Sequence, residues 1–114
     1  MLIYKYKESA VKHWKSWLGV ALMAAMPGVA AANQALAQKN ACMACHTVDK
    51  KLVGPAFKDI AKKYAGQADA QAQLAKSIKA GGAGKWGPIP MPAQAALSEA
   101  DAGTLAAWIL AGAQ

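Results

Sequence analysis

Five consecutive residues, Cys42-Met43-Ala44-Cys45-His46, carry the most specific chemistry in this sequence of 114 residues. Two cysteines three positions apart at a helix end can each add to one vinyl group of a haem and form a thioether. The adjacent histidine is then placed beneath the iron as an axial ligand, and this pattern is a signature of haem attachment. The motif therefore predicts one covalently bound c-type haem, attached through Cys42 and Cys45, with His46 on the iron.

Three other interpretations of the two cysteines compete with haem attachment. A disulfide across a two-residue gap would close a very small loop and stabilise the fold little. A thioredoxin-like redox pair belongs in a βαβ unit, whereas no segment here shows the period of two that indicates a strand. A zinc site needs further ligands, but His46 is the only histidine after the N-terminal segment, and there is no third cysteine. Haem attachment is therefore the interpretation that the sequence favours.

The second axial ligand follows by elimination between the two methionines that lie after the N-terminal segment, Met43 and Met91. Met43 lies between the attached cysteines and cannot reach round the ring. Met91 is flanked by Pro90 and Pro92, which restrict the backbone and would hold the sulfur at the iron with little further loss of entropy. We expect Met91 to be the second ligand. The alternatives are that Met91 only packs in the loop, or that a lysine binds the iron.

The N-terminal segment has the composition of a secretory signal peptide. Residues 1–17 are basic and residues 18–32 carry no charge, and this apolar stretch is shorter than the roughly 20 residues that a membrane span needs. Small residues at Ala30 and Ala32 fit cleavage after Ala32, which leaves residues 33–114 as the mature chain. Cleavage after Ala37 and an uncleaved anchor are the alternatives. We therefore expect a periplasmic protein with no stable membrane insertion after cleavage.

The charge pattern argues against nucleic acid as a partner. The whole sequence has a formal charge of +7, but residues 33–114 hold nine lysines and five acidic residues, which gives +4. No lysine run is longer than two residues, and aromatic residues are not interleaved with the basic ones, as they are in many nucleic-acid-binding surfaces.

Four helices are predicted from apolar residues spaced three and four positions apart. Their expected ranges are 34–41, 57–66, 69–80 and a last helix that begins after Ser98. Asp101 follows Ser98 at the spacing of a capping box. Residues 81–96 hold four glycines and three prolines and therefore form a loop. This loop also carries the large apolar residues Trp86, Ile89 and Met91, which are unusual in a flexible linker. We therefore expect the loop to lie against a ligand.

These motifs, in this order, resemble the small bacterial class I cytochromes c of the cytochrome c-551 group. The matching segments are Cys42–His46, 48–56, 65–67, 78–79 and 86–92, and the resemblance extends from about residue 34 to residue 108. It implies an all-α fold of about four helices wrapped round one haem, with residues 33–114 as the cytochrome c domain. It also implies a monomeric electron carrier that is not an enzyme.

The resemblance assigns roles to two further residues. The carbonyl of Pro55 is expected to accept a hydrogen bond from the ring nitrogen of His46 that does not bind iron, which would fix the tautomer and the ring orientation. The indole of Trp86 is expected to donate to a haem propionate, with simple packing on the haem edge as the alternative.

Two residues depart from the pattern of the group. Ala37 stands where the first helix often has an aromatic residue, so we expect the crossing of the first and last helices to rely on Leu36 and Trp108. Gln94 stands where an asparagine often bonds the methionine sulfur. Whether the longer side chain of Gln94 reaches the sulfur of Met91 is left open by the sequence.

The resemblance also implies redox proteins as partners, with a quinol-oxidising complex or another donor, and a nitrite reductase, peroxidase or terminal oxidase as acceptor. We expect electrons to leave through an apolar patch ringed by lysines. The patch residues are Met43, Val53, Pro88 and Ile89, and the lysines are Lys50, Lys51 and Lys85. The alternatives are that these lysines only keep the protein soluble, and that the methionine ligand is labile and serves peroxide chemistry or gas sensing.

Overall fold

The computed structural model describes residues 29–114, so most of the predicted signal peptide lies outside the described residues. Within this range the chain forms helices α1 (Val29–Lys39), α2 (Phe57–Tyr64), α3 (Ala70–Ala80) and α4 (Glu99–Leu110), with a 3₁₀ turn at Cys42–Ala44. The described range contains no β-strand, and a single pair of residues, Gly82 and Met91, forms an isolated β-bridge. The expected all-α fold is confirmed. Between residues 29 and 114, none of the helices combines the length and apolar character that crossing a bilayer requires.

The ends of the last three helices lie close to their predicted positions. The hydroxyl of Ser98 accepts a hydrogen bond from the backbone N–H of Asp101 at 3.0 Å, which satisfies one free donor at the start of α4. Gly81 ends α3 in a conformation with φ of +63°. Serine caps and terminal glycines act through local backbone chemistry, and they can therefore be read from the sequence.

Helix α1 differs from its prediction at both ends. It begins at Val29 rather than at residue 34, in a stretch rich in alanine, the residue with the highest helix propensity. It ends at Lys39, because Ala41 turns into the left-handed region with φ of 58°. The side-chain amide of Asn40 donates to the carbonyl of Leu36 at 2.9 Å and satisfies a free acceptor at the helix end. The chain then enters the 3₁₀ turn that carries the cysteines.

Helix α4 packs against each of the other three helices and forms the centre of the core. Ala37 of α1 is only 1% exposed and belongs to this core, whereas its neighbour Leu36 is half-buried. The crossing of α1 and α4 therefore includes the small side chain of Ala37 and does not rest on Leu36 and Trp108 alone. The principal side chains of the core are Phe57, Ile60, Tyr64, Leu74, Ile78, Leu105, Trp108 and Ile109.

Candidate functional site

A cavity of about 280 Å³ lies between the helices and the loop 81–96. All six site residues predicted from the sequence line this cavity, although they come from three separate segments of the chain. They are Cys42, Cys45, His46, Pro55, Trp86 and Met91. The rest of its wall is largely apolar and comes from α2, α3 and α4, with contributions from Phe57, Ile60, Leu74, Ile78, Leu105 and Ile109.

His46 has a defined orientation and a defined tautomer. Its Nδ1 atom lies 2.7 Å from the carbonyl oxygen of Pro55. Because a carbonyl oxygen can only accept, Nδ1 carries the proton and donates, which leaves the lone pair of Nε2 free to bind a metal. The ring of Phe57 stacks on the imidazole at a centroid distance of 5.3 Å and an interplanar angle of 17°.

Gly54 lets the backbone pass directly beside the imidazole. A Cβ atom on Gly54 would lie 2.5 Å from Cε1 of His46 and 2.9 Å from its Nδ1. The backbone N–H of Gly54 also donates to the carbonyl of Cys45 at 2.7 Å, which ties this segment to the cysteine turn. Sequence reasoning missed the contributions of Gly54 and Phe57. The only signal in the sequence was a glycine directly before Pro55. At this position only a residue without a side chain lets the backbone pass so close to the imidazole.

The 3₁₀ turn presents both cysteines to the cavity. The backbone N–H of His46 donates to the carbonyl of Cys42 at 3.0 Å, which closes the turn between the first cysteine and the histidine. Both thiols are free. Burial raises the pKa of the Cys42 thiol above its usual value, so this sulfur is protonated at neutral pH.

Met91 is held by backbone hydrogen bonds to the end of α3. Its N–H donates to the carbonyl of Gly82 at 2.8 Å, and the N–H of Gly82 donates back to the carbonyl of Met91 at 3.0 Å. Three residues later the N–H of Gln94 donates to the carbonyl of Ile78 at 3.2 Å. The half-buried Met91 side chain therefore reaches the cavity from a firmly anchored segment.

Trp86 lies at the cavity in contact with a lysine that the sequence analysis did not connect with it. The Nζ atom of Lys63 lies 4.3 Å from the centroid of the Trp86 ring and donates to the carbonyl of Lys85 at 3.1 Å. Lys85 in turn donates from Nζ to the hydroxyl of Tyr64 at 3.1 Å. One lysine ammonium therefore lies over the indole, and a second lies at Tyr64 of α2.

The lining of the cavity fits a haem. It offers two thiols for the vinyl groups, an imidazole nitrogen and a thioether sulfur for the iron, and apolar walls for the ring. A further wall residue, Trp108, has a buried indole N–H with no hydrogen-bond partner among the described residues. An orphaned donor at a cavity wall is consistent with a wall that a bound group completes.

Known proteins similar to this chain show which family it belongs to. Residues 30–113 match the family model described as Cytochrome c. The chain belongs to the cytochrome c family. This cytochrome c is 53% identical over 97 residues to cytochrome c-552 of Nitrosomonas europaea, covering 83% of the chain and 94% of the relative. It is 54% identical over 77 residues to cytochrome c-551 of Pseudomonas aeruginosa, covering 68% of the chain and 73% of the relative.

The fold of this cytochrome c is also similar to solved structures. The crystal structure of wild-type Nitrosomonas europaea cytochrome c552 matches with a TM-score of 0.67 and 56% identity, covering 69% of this chain and 98% of the solved one. The resemblance to small class I cytochromes c is thus confirmed. Membership of the family makes the protein an electron-carrying cytochrome c, with a covalently bound haem c and its iron as cofactor.

Proposed function

We propose that this cytochrome c is a periplasmic electron carrier, exported by a signal peptide of residues 1–32 and active as residues 33–114. The observation that carries the proposal is the meeting of Cys42, Cys45, His46 and Met91 at one cavity. His46 and Met91 would both bind the iron and would leave it no open position for a substrate. The protein is therefore a carrier and not an enzyme.

Bound at this site, the haem supplies one-electron redox chemistry through its iron. The residues of the chain fix the ligands and tune the potential. The hydrogen bond from Nδ1 of His46 to Pro55 sets the ring orientation and makes Nε2 a stronger ligand. A thioether from Met91 favours ferrous iron and raises the potential. The apolar walls exclude water, which also favours the state of lower charge.

Cys42 and Cys45 retain the cofactor. Each of these thiols would hold the haem through a thioether, formed by addition of S–H across a vinyl double bond, which would need no external oxidant. The thioethers place His46 next to the ring, because its backbone N–H is bonded to the carbonyl of Cys42. The haem therefore remains attached even when the chain unfolds.

The mouth of the cavity provides a surface for electron exchange. Four large apolar side chains are exposed in the described part of the chain, and we refer to them as the mouth patch. They are Leu52, Val53, Trp86 and Ile89, and Ile89 is 61% exposed. All except Leu52 also line the cavity. Such a patch suits brief contact with redox partners, for which a quinol-oxidising complex as donor and a nitrite reductase, peroxidase or terminal oxidase as acceptor are the candidates.

The mouth patch differs in part from the surface expected from the sequence. Val53 and Ile89 belong to it, and Pro88 is exposed beside them. Met43 does not, because its side chain is half-buried and packs against the core. Leu52 and Trp86 were not expected to belong to this surface.

The three lysines expected round the patch lie next to it. Lys51 and Lys85 line the cavity beside the patch, and Lys50 is exposed beside Lys51. The expected ring of positive charge therefore remains part of the proposal.

Expression of the full chain with a c-type maturation system tests this proposal. We expect a periplasmic protein with the mass of residues 33–114 plus one haem, which takes up and releases one electron reversibly. We also expect slow reaction with peroxide, because both axial positions are occupied. A protein retained in the membrane with residues 1–32 attached would contradict the export proposal. Rapid peroxide turnover would contradict the carrier and favour a labile Met91.

A further inference from the structure

Gly81, the residue directly after α3, lies close against the backbone of the Met91 segment. A Cβ atom on Gly81 would lie 2.5 Å from the carbonyl oxygen of Met91, 2.6 Å from the backbone nitrogen of Ala93 and 2.9 Å from its Cα. All three contacts are with main-chain atoms, so no side-chain rotation could make room. A side chain at position 81 would have to push the Met91 segment away by about 1 Å to reach an ordinary contact distance.

The backbone conformation of Gly81 sets a second, independent requirement. Its φ of +63° and ψ of −163° lie in a region that is essentially restricted to glycine. This conformation ends α3 and directs the chain so that Gly82 can pair with Met91 through their two backbone hydrogen bonds. An alanine at position 81 would therefore be opposed both by its own backbone and by the segment packed against it.

We propose that Gly81 is a positioning residue for Met91: the absence of a side chain at Gly81 sets how near the Met91 backbone lies to α3 and so holds the sulfur within reach of the haem iron. The inference rests on the proposed function, in which Met91 is the second axial ligand. Ordinary packing tolerates a displacement of 1 Å by rotating a side chain. Coordination does not, because the iron–sulfur bond has a fixed length and direction.

Gly66 provides a control for the effect of a positive φ. It follows α2 with φ of +78°, and a Cβ atom there would meet nothing within 4 Å. Gly66→Ala therefore introduces an alanine at positive φ without a steric wedge and far along the chain from Met91. A property that changes in Gly81→Ala but not in Gly66→Ala therefore does not come from positive φ alone, and reports the contact with the Met91 segment together with the backbone conformation particular to Gly81.

The test measures the affinity of the ferric holoprotein for imidazole, which must displace the methionine sulfur to bind. We expect Gly81→Ala to bind imidazole at least about tenfold more tightly than the wild type, equivalent to about 1.4 kcal/mol, because a displaced sulfur competes less well. We expect Gly66→Ala to match the wild type. In a Met91→Ala background, Gly81→Ala should leave the affinity for imidazole unchanged, because the ligand through which it acts is gone.

The possible outcomes separate this inference from the proposed function. Equal imidazole affinities in wild type, Gly66→Ala and Gly81→Ala would overturn the role of Gly81 while leaving Met91 as the ligand. A change that persists in the Met91→Ala background would also overturn it, since Gly81 would then act by another route. A wild type whose affinity is the same as that of Met91→Ala would instead overturn the assignment of Met91.

A measurement on the wild type covers the case in which Gly81→Ala yields no holoprotein. Coupling between two sites is reciprocal, so displacement of the sulfur by imidazole should loosen the contact with α3. We expect imidazole to speed amide hydrogen exchange at Gly82 and Met91, and to leave the capped amide of Asp101 unaffected. Unchanged exchange at Gly82 and Met91 would show that ligation and this contact are independent and would overturn the inference.

Discussion

The imidazole of His46 is constrained on three sides by neighbours close to it in the sequence. Pro55 accepts its Nδ1 proton, Phe57 stacks on its face, and Gly54 passes beside its edge. Together these contacts restrict both side-chain torsions of the histidine. In the proposed role of iron ligand, an imidazole held in this way would keep its geometry when the charge on the iron changes, which would suit repeated one-electron transfer.

Substitution of Gly54 tests how tightly this side chain is packed. We expect Gly54→Ala to lower the free energy of unfolding by about 1–3 kcal/mol, because the new methyl group would overlap the imidazole. Gly103→Ala is the matched control: it lies within α4, and its nearest contact would be Nε2 of Gln71 at 3.9 Å. The control should be neutral or stabilising by about 0.5–1 kcal/mol. Guanidinium titration followed by circular dichroism measures both, and equal losses would contradict the account.

Gln94 offers a test at Met91, the proposed second ligand of the iron. Its backbone is tied to Ile78, but its side chain is one methylene longer than the asparagine often found at this place. We expect the iron–sulfur bond to be weaker in the wild type than in Gln94→Asn, and the reduction potential to differ between the two. Potentiometry and the sulfur-to-iron absorption band measure this. Equal potentials together with equal band intensities would refute the prediction.

The residues with the most specific chemistry were identified from the sequence, whereas those that support them were not. The cysteines and His46 form a contiguous motif, and Met91 followed from the scarcity of alternatives. Their roles at the haem remain predictions until the experiments above are done. Gly54 and Phe57 could not be assigned in the same way, because stacking and close approach depend on how the loop after His46 folds back.

At the scale of elements, helix ends were predictable where local chemistry determines them. The cap at Ser98 and the stop at Gly81 are examples, since each acts within one turn of its own helix. The end of α1 was not, because a left-handed alanine at position 41 has no sequence signature. The backbone pairing of Gly82 with Met91 could not be predicted from the sequence either, because it joins two residues nine positions apart across an irregular loop.

The cap of α4 can be tested separately from the haem site. We expect Ser98→Ala to cost about 1 kcal/mol of stability, because the N–H of Asp101 loses its acceptor. Thr104→Ala, at an exposed position in the same helix, is its control and should be neutral or stabilising by about 0.5 kcal/mol, because alanine has the higher helix propensity. Thermal unfolding of the wild-type and variant holoproteins measures both effects. A midpoint of Ser98→Ala equal to that of the wild type would contradict the contribution of the cap.

At the scale of the whole molecule, the arrangement of charge matters more than its total. Converting Lys50, Lys51 and Lys85 to glutamate should slow electron transfer from an acidic donor at low salt, because these residues adjoin the mouth patch. The matched control converts Lys39, Lys62 and Lys76, which are exposed but do not line the cavity. Both triple variants change the net charge equally. Stopped-flow rates that fall equally in the two would show that net charge, and not the patch, controls the encounter.

The sequence supported the family and the fold because the ordered motifs extend from about residue 34 to residue 108. It could not give the composition of the mouth patch. Met43 lies inside the motif and yet packs against the core, while Leu52 and Trp86 become exposed only through the paths of their loops. Export and cleavage remain predictions from composition alone.

The sulfur-to-iron absorption band of the ferric holoprotein tests the central claim most directly, because it arises only when a methionine sulfur occupies the iron. Met43 and Met91 are the only methionines after residue 32, so Met43→Ala and Met91→Ala form a matched pair. We predict the band in the wild type and in Met43→Ala, and its loss in Met91→Ala. A wild type without the band, or a band that survives in Met91→Ala, would contradict an electron carrier with His46 and Met91 on its iron.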